Sequence, residues 1–181
     1  MKLRALTGIA LAAGMLVAGT AYAQQAAPPA APPDLNAIPD KMPFNLPFGT
    51  PIGMDRAQGL VQAAVGEANK RGWSMNVAVV DPGGNLVTFA RMDGAQLASI
   101  AISEHKARTA ARYRRPTRLF EDAVQHGVLY VTTLDDVIAS RGGIPLVEDG
   151  KIIGAVGCSG GTGSQDEAIC TAAANTINKT Q

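Results

Sequence analysis

One histidine and two arginines have a spacing that could hold an iron porphyrin. His105, Arg108 and Arg112 lie in the basic stretch SEHKARTAARYRRP, residues 103–116, at positions i, i+3 and i+7. On a helix these positions share one face. A neutral imidazole can ligate iron, and a guanidinium can pair with a carboxylate through two hydrogen bonds. His105 is therefore a candidate axial ligand of haem iron, with Arg108 or Arg112 on the haem propionates.

The same helix face has a simpler interpretation. Charged helix faces are usually solvated, so this one could pair with acidic groups on another subunit, and composition alone favours that interpretation. The stretch holds five of the 16 Lys and Arg residues, while the net charge of the chain is only +1. The near-neutral balance argues against nucleic acid as the main partner.

A glycine-rich loop, GCSGGTGSQDEA at residues 157–168, is a second candidate site. Such a loop between a strand and a helix can bind an anion, or it can be a tight connection with close backbone approach. It lacks the lysine of a nucleotide-binding P-loop. Its G-x-S-x-G pattern does not indicate a hydrolase, because both histidines, His105 and His126, precede the serine.

Arg91 and Asp93 follow a predicted strand and could line a cleft, or could form a local ion pair. Met92 could be a soft iron ligand, although a methionine is more often packing. A pocket between Arg91, Lys106 and the loop 157–164 is an alternative site for a small organic anion. No group of His, Cys and carboxylates has zinc-site spacing.

Hydrophobic periodicity and turn residues predict the elements that position these side chains. The order α-ββ-α-α-(β)-ββ-α indicates one α+β domain, with a roughly five-stranded antiparallel sheet covered by helices. Pro145 indicates that its strand lies at a sheet edge or begins there. The predicted helices are 54–71, 96–113, 116–126 and one capped by Ser164 and Glu167, and the predicted strands are 77–80, 86–91, 130–133, 144–147 and 152–156. The second helix should pack on the sheet through Leu97, Ile100, Glu104, Ala107 and Ala111.

The first 53 residues indicate an exported protein. Residues 1–23 have the basic, apolar and small-residue regions of a cleaved signal peptide. Residues 24–53 form a proline-rich tether, which could lie against the domain or a neighbouring subunit, and the domain spans 54–181. The mature protein is expected in the periplasm or the medium. Cys158 and Cys170 could pair there, but their predicted separation favours two buried thiols.

Three separated motifs resemble the GlcG/HbpS family and cover residues 54–177. They are VAVVDPGGNLVTFARMDGA, HKARTAARYRRPT and SRGGIPLVEDGKIIGAVGCSGGTGSQDEAI. The resemblance implies an antiparallel sheet covered by helices, with Arg91 and Lys106 in the family signature. It also implies non-covalent haem binding, haem degradation in some members, and homo-oligomers that are octamers in the secreted type. A membrane sensor kinase is an implied partner.

The leading expectation is an exported, oligomeric haem-binding protein that scavenges or protects against haem and iron. The expected haem contacts are His105, Arg108, Arg112, Arg91 and Lys106, with His105 on the iron. Catalysis is not expected, and haem degradation is the reaction to test if there is one. The alternatives are a carrier or enzyme for a small organic anion or cofactor, and an accessory protein for a membrane sensor.

Overall fold

The computed structural model describes residues 37–178, which belong to one compact unit. The predicted signal peptide and the first part of the tether lie outside these residues. Eight regular elements and one 3-10 helix follow in chain order: α1 Met54–Arg71, β1 Asn76–Val80, β2 Leu86–Arg91, α2 Ser99–Arg112, α3 Arg118–Gln125, the 3-10 helix Leu129–Thr133, β3 Gly143–Glu148, β4 Lys151–Ser159 and α4 Gly163–Ala174.

The protein has an α+β fold whose sheet has four antiparallel strands in the order β2-β1-β4-β3. The prediction of a fifth strand over residues 130–133 is wrong, because this segment is the 3-10 helix. The hydroxyls of Thr132 and Thr133 donate to the carbonyls of Leu129 and Tyr130, and such local bonds compete with strand pairing. Pro145 lies on the edge strand β3, as predicted.

The helices cover the two faces of the sheet with different packing. Helices α1 and α4 bury an aliphatic core on one face, and α2 packs alanines on the other. Gly157 permits this close packing, because a Cβ there would collide with the Ser103 carbonyl and lie 2.6 Å from the Ala107 nitrogen. The sheet can therefore meet the α2 backbone directly.

The buried face of α2 is rotated from the prediction. Ala107 and Ala111 are buried as expected, but Leu97 precedes the helix and is 70% exposed, and Glu104 is only partly buried. The buried positions are Ser99, Ser103, Lys106, Ala107, Thr109, Ala110 and Ala111. Small and polar residues form this face because the helix lies against backbone, where a large apolar side chain would not fit.

A disulfide joins Cys158 on β4 to Cys170 on α4, so the expectation of two thiols is wrong. Strand β4 continues to Ser159, and α4 then folds back along it, which brings the two Cα atoms to 5.6 Å. The helix also begins earlier than predicted. Thr162 and Gln165 form the capping box, rather than Ser164 and Glu167.

The later part of the tether lies against the domain. The amide of Gly49 donates to the Ile152 carbonyl at 2.8 Å, and the amide of Ile152 donates to the Pro47 carbonyl at 2.9 Å. The guanidinium of Arg115 lies 3.7 Å from the centre of the Phe44 ring. Burial, together with the neighbouring Arg114, lowers the pKa of Arg115.

Candidate functional site

The basic face of α2 converges on one carboxylate of the same chain, Asp136. Arg112 reaches it with Nη1 2.8 Å from Oδ2, and Arg108 contacts both oxygens at 3.3 and 3.4 Å. The Nε2 atom of His105 lies 3.2 Å from Oδ1, although the pair is not aligned as a hydrogen bond. His105, Arg108, Arg112 and Asp136 are called the Asp136 cluster below. The three basic residues thus lie together as predicted. The sequence did not predict Asp136, the carboxylate that they share.

Asp136 is held in place by its backbone as well as by its side chain. It adopts a left-handed conformation with φ of 53°, which is uncommon for a residue with a side chain. The hydroxyl of Thr109 donates to its carbonyl at 3.0 Å, and the hydroxyl of Tyr113 donates to the carbonyl of Asp135 at 2.6 Å. Thr109 of α2 and Tyr113, the residue directly after the helix, therefore fasten the loop that carries the Asp136 carboxylate.

The β1–β2 turn borders the cluster from the other side. Arg112 donates through Nε to the Gly83 carbonyl at 2.8 Å. Asp81 stabilises this turn by accepting from the backbone and side chain of Asn85. Burial by itself would raise the pKa of Asp81, but the hydrogen bonds from Asn85 and the turn backbone lower it overall. The turn thus places a carbonyl where Arg112 needs an acceptor.

The Asp136 cluster offers positive charge and an imidazole, which are groups that can hold a haem. Two guanidinium groups face one carboxylate, which leaves a surplus positive charge suited to a propionate. The side chains of His105, Arg108 and Arg112 are 31%, 32% and 46% exposed, so a ligand can reach them. Asp136 faces Nε2 of the imidazole, and among residues 37–178 no hydrogen bond or ion pair to Nδ1 is found. Metal-binding histidines commonly donate one ring N–H to a carboxylate, and Asp136 lies beside Nε2 of His105 without an aligned hydrogen bond.

Lys106 does not join this cluster. Its side chain is 1% exposed, and its ammonium donates to Asp166 at 2.7 Å and to the Cys158 carbonyl at 3.3 Å. The other oxygen of Asp166 accepts from the amides of Gly160 and Gly161, both at 3.0 Å. The glycine-rich loop therefore binds an anion that the chain itself supplies. Lys106 is enclosed, and its predicted contact with a ligand is not supported by this geometry.

Arg91 lies in a different place, at the rim of a cleft of 540 Å³ between α1 and the end of β2. Lys106 is buried and does not line the predicted pocket between Arg91, Lys106 and the glycine-rich loop. Arg91 and Asp93 do not make the local ion pair that was the alternative. Met92 accepts a hydrogen bond from the Met75 amide through its sulfur, at 3.4 Å, which fits a packing role.

The other histidine of the chain, His126, has a structural role. The Nδ1 atom of His126 lies 2.7 Å from the Asp122 carbonyl at the end of α3. Within the described part of the chain, no group of three His, Cys, Asp or Glu side chains could hold a metal ion. No helix among residues 37–178 is both long and apolar enough to cross a membrane.

The fold and these contacts define an α+β domain of the HbpS type. The family model described as "Haem degrading protein HbpS-like" matches residues 52–175. The chain therefore belongs to the HbpS-like family.

Known relatives agree with this assignment. Protein GlcG of Escherichia coli K12 is 43% identical over 103 residues, which are 57% of this chain and 77% of GlcG. The crystal structure of HbpS is similar with a TM-score of 0.67 at 28% identity, over 76% of this chain and 98% of that one. The crystal structure of a PduOC–haem complex is similar with a TM-score of 0.65 at 32% identity, over 71% and 96% of the two chains.

Proposed function

We propose that this protein binds haem non-covalently. The observation that carries the proposal is the likeness to the PduOC–haem complex, which spans 96% of that chain at 32% identity. The family description, which names haem degradation, points to the same ligand. Scavenging of haem and iron, or protection against them, is the role that such binding would serve.

The Asp136 cluster is the part of the structure that supports the predicted haem contacts. His105 would hold the haem iron through its imidazole, with Asp136 lying beside Nε2 of the ring. Arg108 and Arg112 would pair with the propionates. Bound haem would supply the iron and its redox chemistry. Lys106 would contribute only through its bond to Asp166, and Arg91 belongs to the separate cleft.

The test is a haem titration followed by the Soret band. We expect saturable binding to the wild-type protein, and a shifted Soret maximum with at least about tenfold weaker binding for His105→Ala, because a lost iron ligand costs more than about 1.4 kcal/mol. His126→Ala is the matched control, since it removes the other histidine, and its spectrum should equal that of the wild type. An unshifted Soret band in the wild type would exclude haem binding. Identical spectra for wild type and His105→Ala would exclude only the ligand assignment.

Turnover is tested in the same sample. The haem-loaded protein is mixed with ascorbate or peroxide, and the Soret band is followed against free haem at equal concentration. Protein-dependent loss of the band, with an open-chain product in mass spectrometry, would establish haem degradation. A stable band would leave binding alone as the activity.

Export is the second component of the proposal. It rests on the predicted signal peptide, and the Cys158–Cys170 disulfide supports it, since disulfides persist in oxidising compartments. Mass spectrometry of the protein from a periplasmic extract should find Gln24 as the first residue. An intact residue 1 on a cytoplasmic protein would contradict export.

Assembly and partners complete the proposal. A homo-oligomer, an octamer in the secreted type of this family, is expected from the family resemblance. Light scattering on the purified protein with and without haem measures the number of subunits.

A membrane sensor as partner is tested by capture from membranes with the wild type and Arg112→Ala, which alters the exposed part of the Asp136 cluster. An interaction protein that is indifferent to haem would give capture without a Soret shift.

A further inference from the structure

A cleft beside the only tryptophan has the features of a second binding site. Its walls come from the C-terminal half of α1 and the end of β2, and its lining includes Asn69, Trp73, Arg91, Met92 and Asp93. A second depression of 390 Å³ shares Trp73 and Ser74 with it and reaches Gly160 and Gln165. We call the two together the Trp73 cleft.

The two charged side chains at the rim of this cleft, Arg91 and Asp93, are not used by the fold. Across residues 37–178 no acidic group pairs with the guanidinium of Arg91, and no basic group pairs with the carboxylate of Asp93. Asp93 contributes only its backbone carbonyl, which accepts from the Ser74 hydroxyl at 3.0 Å. One cation and one anion therefore stand two residues apart on the rim, each with its hydrogen-bonding capacity available.

The lining of the cleft also has an apolar part. Trp73 is partly buried, and the Arg71 guanidinium lies 5.1 Å from the centre of its ring. Arg71 is itself neutralised by Glu67 at 2.8 Å, so it adds little net charge to the cleft. Met92 is fixed by the hydrogen bond to its sulfur, and Val65 and Ala90 complete the apolar surface.

We propose that the Trp73 cleft binds an α-amino acid with an apolar side chain. The carboxylate of the amino acid pairs with Arg91, which can donate two parallel hydrogen bonds to it. The ammonium pairs with Asp93, and the side chain packs against Trp73. A zwitterion satisfies both rim charges at once, whereas a simple anion leaves Asp93 facing it with like charge. This site is separate from the Asp136 cluster and does not depend on haem.

Tryptophan fluorescence reports directly on this cleft, because the chain has a single tryptophan. L-leucine and L-phenylalanine are titrated into the full chain with excitation selective for Trp73. At least one should shift the emission saturably at millimolar concentrations. For leucine the matched probes are 3-methylbutylamine, which lacks the carboxylate, and 4-methylpentanoate, which lacks the amine. For phenylalanine they are phenethylamine and 3-phenylpropionate. Each should bind at least about tenfold more weakly, because each loses a charge-assisted hydrogen bond.

Two variants at the rim distinguish binding in the cleft from unspecific changes in the emission of Trp73. Arg91→Gln and Asp93→Asn should each weaken the amino acid at least about tenfold while leaving the haem titration unchanged. Lys70→Gln is the control, because Lys70 is a highly exposed cation of α1 that does not line the cleft. The proposal is overturned if neither amino acid shifts the emission. It is also overturned if the one-charge analogues bind as well, or if both rim variants bind like the control.

Discussion

The buried pair of Lys106 and Asp166 gives the sharpest prediction for stability. Replacing Lys106 with methionine keeps most of the volume of the side chain and removes its charge. Asp166, whose side chain is 3% exposed, would then be a buried carboxylate without its cation. We expect this substitution to lower the free energy of unfolding far more than the loss of a surface ion pair would.

The burial of the pair sets the expected loss of unfolding free energy. Removing one partner of a buried ion pair typically costs about 3–5 kcal/mol. Asp166 would keep the two amides of Gly160 and Gly161, so we expect about 3 kcal/mol, at the lower end of that range. For a domain of this size, the melting temperature should fall by roughly 10 °C. Asp166→Asn added to Lys106→Met should recover most of the loss, because a neutral amide oxygen can still accept from the two glycines.

Urea denaturation followed by circular dichroism measures the free energy of unfolding of the wild type, of Lys106→Met, of Asp166→Asn and of the double variant. The control is Arg56→Met, which breaks an Arg56–Glu148 contact of the same length, 2.7 Å, between side chains that are 48% and 42% exposed. That loss should be at most about 1 kcal/mol. The reasoning is refuted if Lys106→Met costs no more than Arg56→Met, since burial would then not determine the strength of the pair.

Three further experiments test other parts of the fold. Replacing Cys158 and Cys170 together with alanine should cost about 3 kcal/mol, because the bond closes a loop of 12 residues, and reduction with dithiothreitol should reproduce the loss in urea denaturation of the wild type. Asp81→Asn should destabilise the protein at neutral pH. The lowered pKa makes the contribution of Asp81 present above its unfolded value of about 3.9, and it is lost as pH falls through the folded value, so denaturation curves of the variant and wild type should converge in acid. Gly157→Ala should lower the melting temperature strongly, because its Cβ would meet the α2 backbone, whereas Gly66→Ala on the open surface of α1 should raise it slightly.

The regular elements were largely predictable because local patterns specify them. The limits of α1 and β2 agree with the predicted ranges, and both hairpins form at the predicted turns. The predictions failed where a local hydrogen bond or a contact with a distant residue determines the structure. Threonine hydroxyls bond to the backbone in residues 129–133 and replace the expected strand, and the capping box moves to Thr162.

The candidate site was predictable only in part. Helical spacing placed His105, Arg108 and Arg112 on one face, and the structure keeps them together. No spacing rule indicated Asp136, because it comes from a loop 24 residues beyond Arg112 and is presented by a left-handed backbone conformation. The pairing of the two cysteines was missed for a similar reason, since it depends on how α4 folds back on β4.

The sequence by itself determined the family, the order of the four helices and the two hairpins, and the residue types that could meet a haem. Only the tertiary structure decided which charges are available to a ligand. Lys106 and Arg112 are six residues apart on one helix, yet one is enclosed with Asp166 and the other is 46% exposed beside Asp136. The physical reason is that a charge is buried only where a distant segment brings its partner, and chain contacts over 60 and 24 residues are properties of the fold.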